Sequence, residues 1–268
     1  MAETKDNIRN KIEYTGLFIK IVKKELKIKE IEKAIDKIDE EVEQFQSSFV
    51  VNNANTFTGA IIKANTPIKL PDFSGTEEEQ QREAFYYNRD HFFDNLDLGD
   101  VRFLRTPFLF ERVNTYVGKL QVQVPDSLIK AIDYVLEKTR NAQESLRYFA
   151  VHYLNEYANS KFVGMDAVYV HLAEKYYGSG QAPWVDSTQL AKIVENAVAL
   201  KPILIGKLAP NIKMQLRDGS PITLHDVKSP YTLLYFWRYD CGHCKESMPD
   251  LKAFYEEYKN KGVKIFAV

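Results

Sequence analysis

The sequence from Tyr231 to Val268, YTLLYFWRYD CGHCKESMPD LKAFYEEYKN KGVKIFAV, shows three successive structural patterns. An apolar run over 231–237 is typical of a strand buried on both faces. Residues 244–258 place apolar side chains at helical spacing, and Gly262 ends this helix. The run 263–268 has the pattern of a second buried strand. Strand, helix and strand at this spacing predict a βαβ unit.

The residues just before this unit predict a β-hairpin. Two short runs of β-forming residues, 212–216 and 222–224, flank the turn sequence Arg217-Asp218-Gly219-Ser220. The change of pattern begins at Lys201. We therefore predict that residues 201–268 form an α/β domain made of this hairpin and the βαβ unit.

Residues 1–200 are predicted to form an all-α domain. Proline, glycine and capping signals divide them into helical segments, whose aromatic residues we expect to form the core. Beyond residue 51 the predicted helices are one over 56–64, one capped by Thr76, one after Pro107, one opening at Pro125, one over 145–157, one over 165–177 and one capped by Asp186 that ends near Leu200.

Residues 1–51 are predicted to form one long helix or a helical hairpin. From residue 28 the apolar positions alternate steps of three and four: Ile28, Ile31, Ile35, Ile38, Val42, Phe45 and Phe49. This spacing is the a/d seam of a helix packed on another helix, and Tyr14, Leu17 and Ile21 extend it backwards. We expect a second helix of the same chain to cover the seam, with a dimer through Ile28–Phe49 as the alternative.

Charge and hydropathy exclude two classes of partner. The formal net charge of -1 provides no basic surface for nucleic acid or for an anionic membrane. The apolar runs are far shorter than the ~20 residues that a membrane-spanning helix needs. No signal-peptide pattern opens the sequence. We therefore expect no nucleic-acid partner and no transmembrane segment.

Cys241 and Cys244 are the only cysteines of the chain, and they lie where the first strand gives way to the helix. At a helix N-terminus, unpaired backbone N–H groups and the helix dipole favour a thiolate over a thiol. The Cys241 thiolate is therefore expected to attack a substrate disulfide as the nucleophile, and Cys244 to resolve the mixed disulfide. We predict no cofactor other than the redox-active disulfide Cys241–Cys244.

Two neighbours are expected to tune the Cys241 thiol in opposite directions. A positive charge on His243 would stabilise the thiolate, whereas the carboxylate of Asp240 would oppose ionisation. We expect the helix terminus and His243 to prevail, so that the pKa of Cys241 falls below its reference value of about 8.5.

Metal binding and a purely structural role are the alternatives for this cysteine pair. His225 and His243 could complete a zinc site, and Met248 could join a copper site. A structural zinc ion usually needs four ligands, and no second closely spaced pair of cysteines or histidines is present. We therefore predict no metal.

Several residues between 207 and 268 together form a family pattern: Ala209-Pro210, Asp218-Gly219, Leu224, Phe236-Trp237, Cys241, Cys244 and Pro249. In this combination the region resembles the TlpA-like thioredoxin-fold thiol-disulfide oxidoreductases. Pro249 matches the helix-kinking proline of thioredoxins, and the Gly-His pair between the cysteines resembles protein disulfide isomerases. The resemblance implies disulfide exchange with protein thiols, with Trp237, Pro249 and Glu246 as supporting residues.

Three features depart from that family pattern. Tyr235 stands where thioredoxins often hold a buried acid, and Ser247 stands where TlpA-like members often place a glutamate. Glu246 is adjacent, but a shift of one residue rotates a side chain by about 100° around the helix. The sequence also stops at Val268, before the family's later strands and its cis-proline loop. We therefore expect an incomplete thioredoxin-like fold of low activity, with an exposed sheet edge as a second route to a dimer.

The helical region resembles the uncharacterised helical domain that precedes such thioredoxin domains in Bacteroidetes envelope proteins. This resemblance implies a periplasmic or cell-envelope protein whose export signal lies outside the sequence; if Met1 is the native start, a cytoplasmic location is expected. The alternative function is a helical module that binds a partner or client, with the thioredoxin-like region as a redox-responsive appendage.

Overall fold

The computed structural model describes the backbone of residues 2–268 and the side chains of residues 23, 24 and 27–268. The side chains of Tyr14, Leu17 and Ile21 lie outside the described residues. The backward extension of the α-helical seam therefore stays a prediction.

The chain divides into two compact units, Met1–Glu156 and Tyr157–Val268, and the domain boundary predicted at residue 200 stays a prediction. The α-helices up to residue 200 are α1 (Ala2–Asn52), α2 (Phe57–Asn65), α3 (Glu77–Asp90), α4 (Pro107–Gly118), α5 (Pro125–Lys138), α6 (Gln143–Ala158), α7 (Asp166–Leu172) and α8 (Ser187–Leu200). A 3₁₀ turn, Val101–Arg105, precedes α4, and α7 continues as a π-helical turn. None of the described helices combines the length and apolarity needed to cross a membrane. The all-α pattern predicted for this part of the chain is confirmed.

Side-chain caps begin two of these helices at the residues that the sequence predicts. Thr76 and Glu79 form a capping box at the start of α3, in which the Thr76 backbone N–H donates to Glu79 Oε2 at 2.8 Å. The Asp186 carboxylate begins α8 by accepting from the backbone N–H groups of Thr188 and Gln189, both at 2.9 Å. Each cap satisfies helix N–H groups that have no partner within the helix.

The buried residues of the first unit come mainly from α4, α5 and α6. Val113 of α4, Ile132 of α5 and Phe149 of α6 are each 0% exposed. In the second unit, Tyr176 and Tyr177 are among the largest fully buried side chains. The prediction that aromatic residues at helical spacing form core is confirmed at these positions.

The a/d seam of α1 is exposed over most of its described length. Ile38 is 58% exposed and Phe45 is 68% exposed, whereas Phe49, close to the end of α1, is half-buried. Because α1 is one helix and not a hairpin, no second arm folds back on it. The expectation that another helix of this chain covers the seam is therefore wrong for the described residues 28–45.

Two small sheets and one helix make up the α/β region. β1 (Lys213–Gln215) pairs antiparallel with β2 (Pro221–Thr223). β3 (Tyr231–Tyr235) pairs in parallel with β4 (Val263–Ala267), and α9 (Gly242–Tyr258) connects these two strands. The predicted hairpin and βαβ unit are therefore confirmed, as is the fold class of a helical region followed by a small thioredoxin-like region.

The strands of the parallel pair are less buried than their apolar runs predict. Tyr231 and Leu233 of β3 are exposed, and Phe266 is the one buried residue of β4. Within the described residues this sheet has two strands, so each strand keeps one unpaired edge. The prediction that both strands are buried on both faces is therefore wrong.

A tight turn at Gly262 leads from the end of α9 into β4. Its φ of 88° lies in the left-handed region that favours glycine. A Cβ atom at this position would lie 2.8 Å from Cγ of Pro230, the residue before β3. The Gly262 carbonyl also accepts from the Tyr231 N–H at 3.2 Å. The start of the β3–β4 pair therefore requires a residue without a side chain.

Replacing Gly262 with alanine should destabilise the second unit. A left-handed alanine costs about 1–2 kcal/mol, and contact with Pro230 adds to that cost. Gly206→Ala is the matched control, because Gly206 has a similar φ of 83° but no atom within 4 Å of its Cβ position. Urea unfolding followed by circular dichroism should give a lower midpoint for Gly262→Ala than for Gly206→Ala. Equal midpoints would contradict the clash.

Candidate active site

Cys241 occupies the N-cap position of α9. Its backbone is extended, with φ −84° and ψ 116°, and the helix begins at the next residue. The Cys241 Sγ accepts a hydrogen bond from the Cys244 backbone N–H at 3.3 Å. The sulfur therefore takes the place that a serine or aspartate oxygen takes in an ordinary helix cap.

This position lowers the pKa of the Cys241 thiol. The largest cause is a hydrogen bond with the Cys244 thiol, followed by the Cys244 backbone N–H, and the His243 backbone N–H adds a further contribution. Partial burial opposes these bonds, because removal from water disfavours the charged form. The expected direction of the pKa shift is therefore found. Its main source is Cys244 together with the helix terminus.

The ring of His243 points into solvent. Its side chain is 99% exposed, and Nδ1 lies 3.6 Å from Oε2 of Glu246, which is also exposed. His243 contributes to the Cys241 pKa through its backbone N–H, so the tuning role of the ring stays a prediction. The Asp240 carboxylate lies 2.8 Å from Nε of Arg238, and its opposition to Cys241 ionisation stays a prediction.

Two hydroxyl groups meet behind Cys244. The Tyr235 hydroxyl at the end of β3 lies 3.0 Å from Ser247 Oγ on α9. The Cys244 carbonyl oxygen lies 3.4 Å from the Tyr235 hydroxyl and 3.2 Å from Ser247 Oγ. Because each hydroxyl has one proton, a bond between the two hydroxyls leaves one of them to donate to this carbonyl. The sequence marks both positions as departures from a family pattern but does not predict that they bond to each other. One feature of the sequence could have predicted the contact of Ser247 with Cys244: Ser247 follows Cys244 by three residues and therefore lies on the same face of the helix.

The structure places the remaining predicted residues around this site. Trp237 follows β3 and is 44% exposed, and its backbone N–H donates to Val268 O at 3.1 Å. Pro249 lies inside α9, where it has no N–H to donate. Cys241, Cys244, Tyr235 and Ser247 are thus brought together, whereas His243 and Glu246 remain at the surface.

The histidine proposed to complete a zinc site is engaged elsewhere. His225 Nε2 lies 2.8 Å from the backbone oxygen of Ala209. Among the described side chains, no group of three or more histidine, cysteine or carboxylate residues is arranged to hold a metal ion. The two cysteines are both half-buried, and neither is joined in a disulfide.

Two family models together match most of the chain. Residues 29–201 match a family described as Domain of unknown function (DUF5106). Residues 205–268 match the AhpC/TSA family. The second match covers the hairpin and the βαβ unit, and it confirms the predicted thioredoxin-like resemblance of this region.

Curated relatives match the same C-terminal region. Thiol-disulfide oxidoreductase ResA of Bacillus anthracis is 41% identical over 64 residues, and that of Bacillus subtilis (strain 168) is 36% identical over 63 residues. Each match covers 24% of this chain and 37% or 35% of the relative. The chain therefore spans little more than a third of the length of these relatives.

A solved structure shares the fold over a larger part of the chain. The crystal structure of a thioredoxin-like protein from Bacteroides caccae ATCC 43185 superposes with a TM-score of 0.53 and 19% sequence identity. The superposition covers 75% of this chain and 72% of that chain. None of these matches favours the alternative of a client-binding module with a redox-responsive appendage.

Because the Cys244 thiol is the largest cause of the lowered Cys241 pKa, removing it should raise that pKa. Cys244→Ala removes the donor, whereas Cys244→Ser keeps a hydroxyl donor at the same position. A lower pKa means that the thiolate persists to lower pH, so the Cys241 alkylation profile should move to higher pH in Cys244→Ala and less in Cys244→Ser. Rates of iodoacetamide labelling between pH 5 and 10 measure this shift. Coincident profiles of Cys244→Ala and Cys244→Ser would disprove the assignment.

Proposed function

This chain belongs to the DUF5106 family, and its residues 205–268 match the AhpC/TSA family. From the second match and the cysteine pair, we propose that the chain is a thiol-disulfide oxidoreductase acting on protein thiols and disulfides. The observation that carries the proposal is the position of Cys241 at the N-cap of α9, where hydrogen bonds lower its pKa. The second thiol of the pair lies one helical turn further on. A nucleophile and a resolving thiol are the two groups that disulfide exchange requires.

In the proposed reaction, the Cys241 thiolate attacks one sulfur of a substrate disulfide. A mixed disulfide forms, and the other substrate sulfur leaves as a thiolate that takes up a proton. Cys244 then loses its proton and attacks Cys241 Sγ, which forms the Cys241–Cys244 disulfide and releases the second substrate thiol. The substrate disulfide gains two electrons and the cysteine pair loses two, and the same steps run in reverse when the protein oxidises a dithiol.

Tyr235 and Ser247 are proposed to position the resolving cysteine. Their hydroxyls and the Cys244 carbonyl form one hydrogen-bonded cluster, so the first turn of α9 stays attached to the end of β3. This attachment keeps the Cys244 backbone N–H directed at Cys241 Sγ. His243 is proposed to add electrostatic support from solvent, and Trp237, Pro249 and Glu246 to support the surrounding surface.

We place this exchange in the periplasm or cell envelope of a bacterium. The support for this location is the resemblance of the helical region to domains of Bacteroidetes envelope proteins. A structural relative also comes from a Bacteroides species. In such oxidising compartments thiol pairs exchange with disulfides of other proteins.

Cys241→Ser should reduce disulfide exchange to the background rate, because the nucleophilic sulfur is lost. Cys244→Ser should instead accumulate a mixed disulfide, because the resolving sulfur is lost. Insulin reduction in the presence of dithiothreitol measures the rate, and intact-protein mass spectrometry detects the mixed species. Lys252→Ala, an exposed change on the same helix, is the control and should leave both readouts unchanged. A Cys241→Ser protein that keeps the wild-type rate would refute the proposal.

Copies of the chain are also proposed to associate through the exposed seam of α1. In a parallel coiled coil each g position faces the e position of the next heptad of its partner. With Ile28 and Ile35 at a positions, Lys27 occupies g and Glu32 occupies e. These opposite charges therefore meet across a parallel interface. Isoleucine at both a and d positions favours assemblies larger than a dimer. The exposed edge of the β3–β4 pair remains a second proposed contact.

Charged residues in the seam should abolish this association. Ile31→Asp combined with Ile38→Asp places carboxylates at two d positions that are already exposed, so the fold of each copy should persist. Lys33→Asp combined with Lys37→Asp changes the outer face of the same helix and is the control. Light scattering should show association for the wild type and the control, and a monomer for the seam variant. A monomeric wild type would rule the association out.

A further inference from the structure

Arg112 is a half-buried cation in the first unit of the chain. It lies on α4, with its Cζ atom 5.1 Å from the ring centroid of Phe92 and 5.5 Å from that of Phe108. Burial lowers the pKa of this guanidinium, since removal from water disfavours its charged form. The two rings cover part of the guanidinium surface. The N–H groups in the plane of the guanidinium stay available to hydrogen-bond acceptors.

Most of these N–H groups have no protein acceptor among the residues that the structure describes. Nη2 donates to the Ala64 backbone oxygen at 2.7 Å, and a guanidinium has five N–H donors in all. Within the described side chains, no carboxylate pairs with Arg112. By contrast, a carboxylate lies within 2.8 Å of each of four other arginines: Arg89, Arg102, Arg140 and Arg238. The positive charge of Arg112 is therefore half-buried, and no carboxylate among the described side chains neutralises it.

The guanidinium borders a cavity of about 300 Å³. Three neutral amides, Asn65, Asn88 and Asn95, line this cavity together with Arg112, and no aspartate or glutamate does. The Asn95 Nδ2 group donates to Thr66 O at 2.9 Å, which holds that amide against the end of α2. A polar cavity with one cation and no counter-charge favours an anionic ligand.

We propose that this cavity binds a carboxylate through Arg112. A carboxylate is planar and accepts two parallel N–H bonds from a guanidinium edge. The cavity has the size of the smallest ligand pockets, which suits a short acid or the last residues of a peptide. The amides offer donors and acceptors to the polar groups beside the carboxylate. This site is independent of the cysteine pair and goes beyond the proposed exchange reaction.

Three probes distinguish the sources of the carboxylate. Acetate presents the acid alone, N-acetyl-dialanine presents a peptide C-terminus, and N-acetyl-dialanine amide has the same shape without the charge. Isothermal titration of the full chain should show binding of at least one acid and none of the amide. Acetate and peptide of equal affinity indicate a small free acid, whereas a tighter peptide indicates a chain terminus. Failure of both acids to bind would overturn the proposal.

Substitutions then test the role of Arg112. Arg112→Lys keeps the charge but loses the paired N–H geometry, so acid affinity should fall by about tenfold. Arg112→Gln should abolish binding. Arg105→Gln, a loss of the same charge at an exposed arginine, is the control and should bind as the wild type does. Circular dichroism checks that each variant is folded. If Arg112→Gln fails to fold, the acid and amide probes on the wild type and the lysine variant decide alone. Equal acid affinity in a folded Arg112→Lys would overturn the assignment.

Discussion

The hydrogen bond from the Cys244 backbone N–H to Cys241 Sγ is the contact on which the candidate site depends. It forms because α9 begins at Gly242, which leaves the first N–H groups of the helix without partners inside the helix. The parallel pairing of β3 and β4 and the hydroxyl contacts of Tyr235 fix where that helix begins. The lowered pKa of Cys241 therefore comes first from the Cys244 thiol and then from the backbone N–H groups at this helix start.

The helical region completes its own interior without using two of its features. The buried faces of α4, α5 and α6 need neither the isoleucine seam of α1 nor the free N–H groups of Arg112. An exposed apolar seam and a half-buried cation without a carboxylate both cost free energy in an isolated chain. Both are explained if the chain meets other molecules, a second copy in one case and an acid in the other.

Local signals predicted the elements well. The Thr76 capping box, the Asp186 cap and the order of strand, helix and strand all depend on residues a few positions apart, so the sequence alone was sufficient. The failures concern burial. The apolar run at Tyr231 predicts a strand buried on both faces, but hydrophobicity alone does not specify how many strands or helices pack against that strand. The seam at Ile28 likewise predicts a partner helix, but its spacing does not specify whether that partner belongs to the same chain.

The sequence by itself determined that Cys241 and Cys244 begin a helix and that a thiolate is favoured there, because helix termini and their dipoles act within one turn. Only the tertiary structure decided which groups surround that thiolate. It turned the His243 ring to solvent, and it joined Tyr235 to Ser247 across twelve positions of sequence. It also brought Arg112 to a carbonyl 48 residues away. Contacts of that range depend on which helices and strands pack together, and the periodicity of the sequence indicates a packed face without specifying its partner.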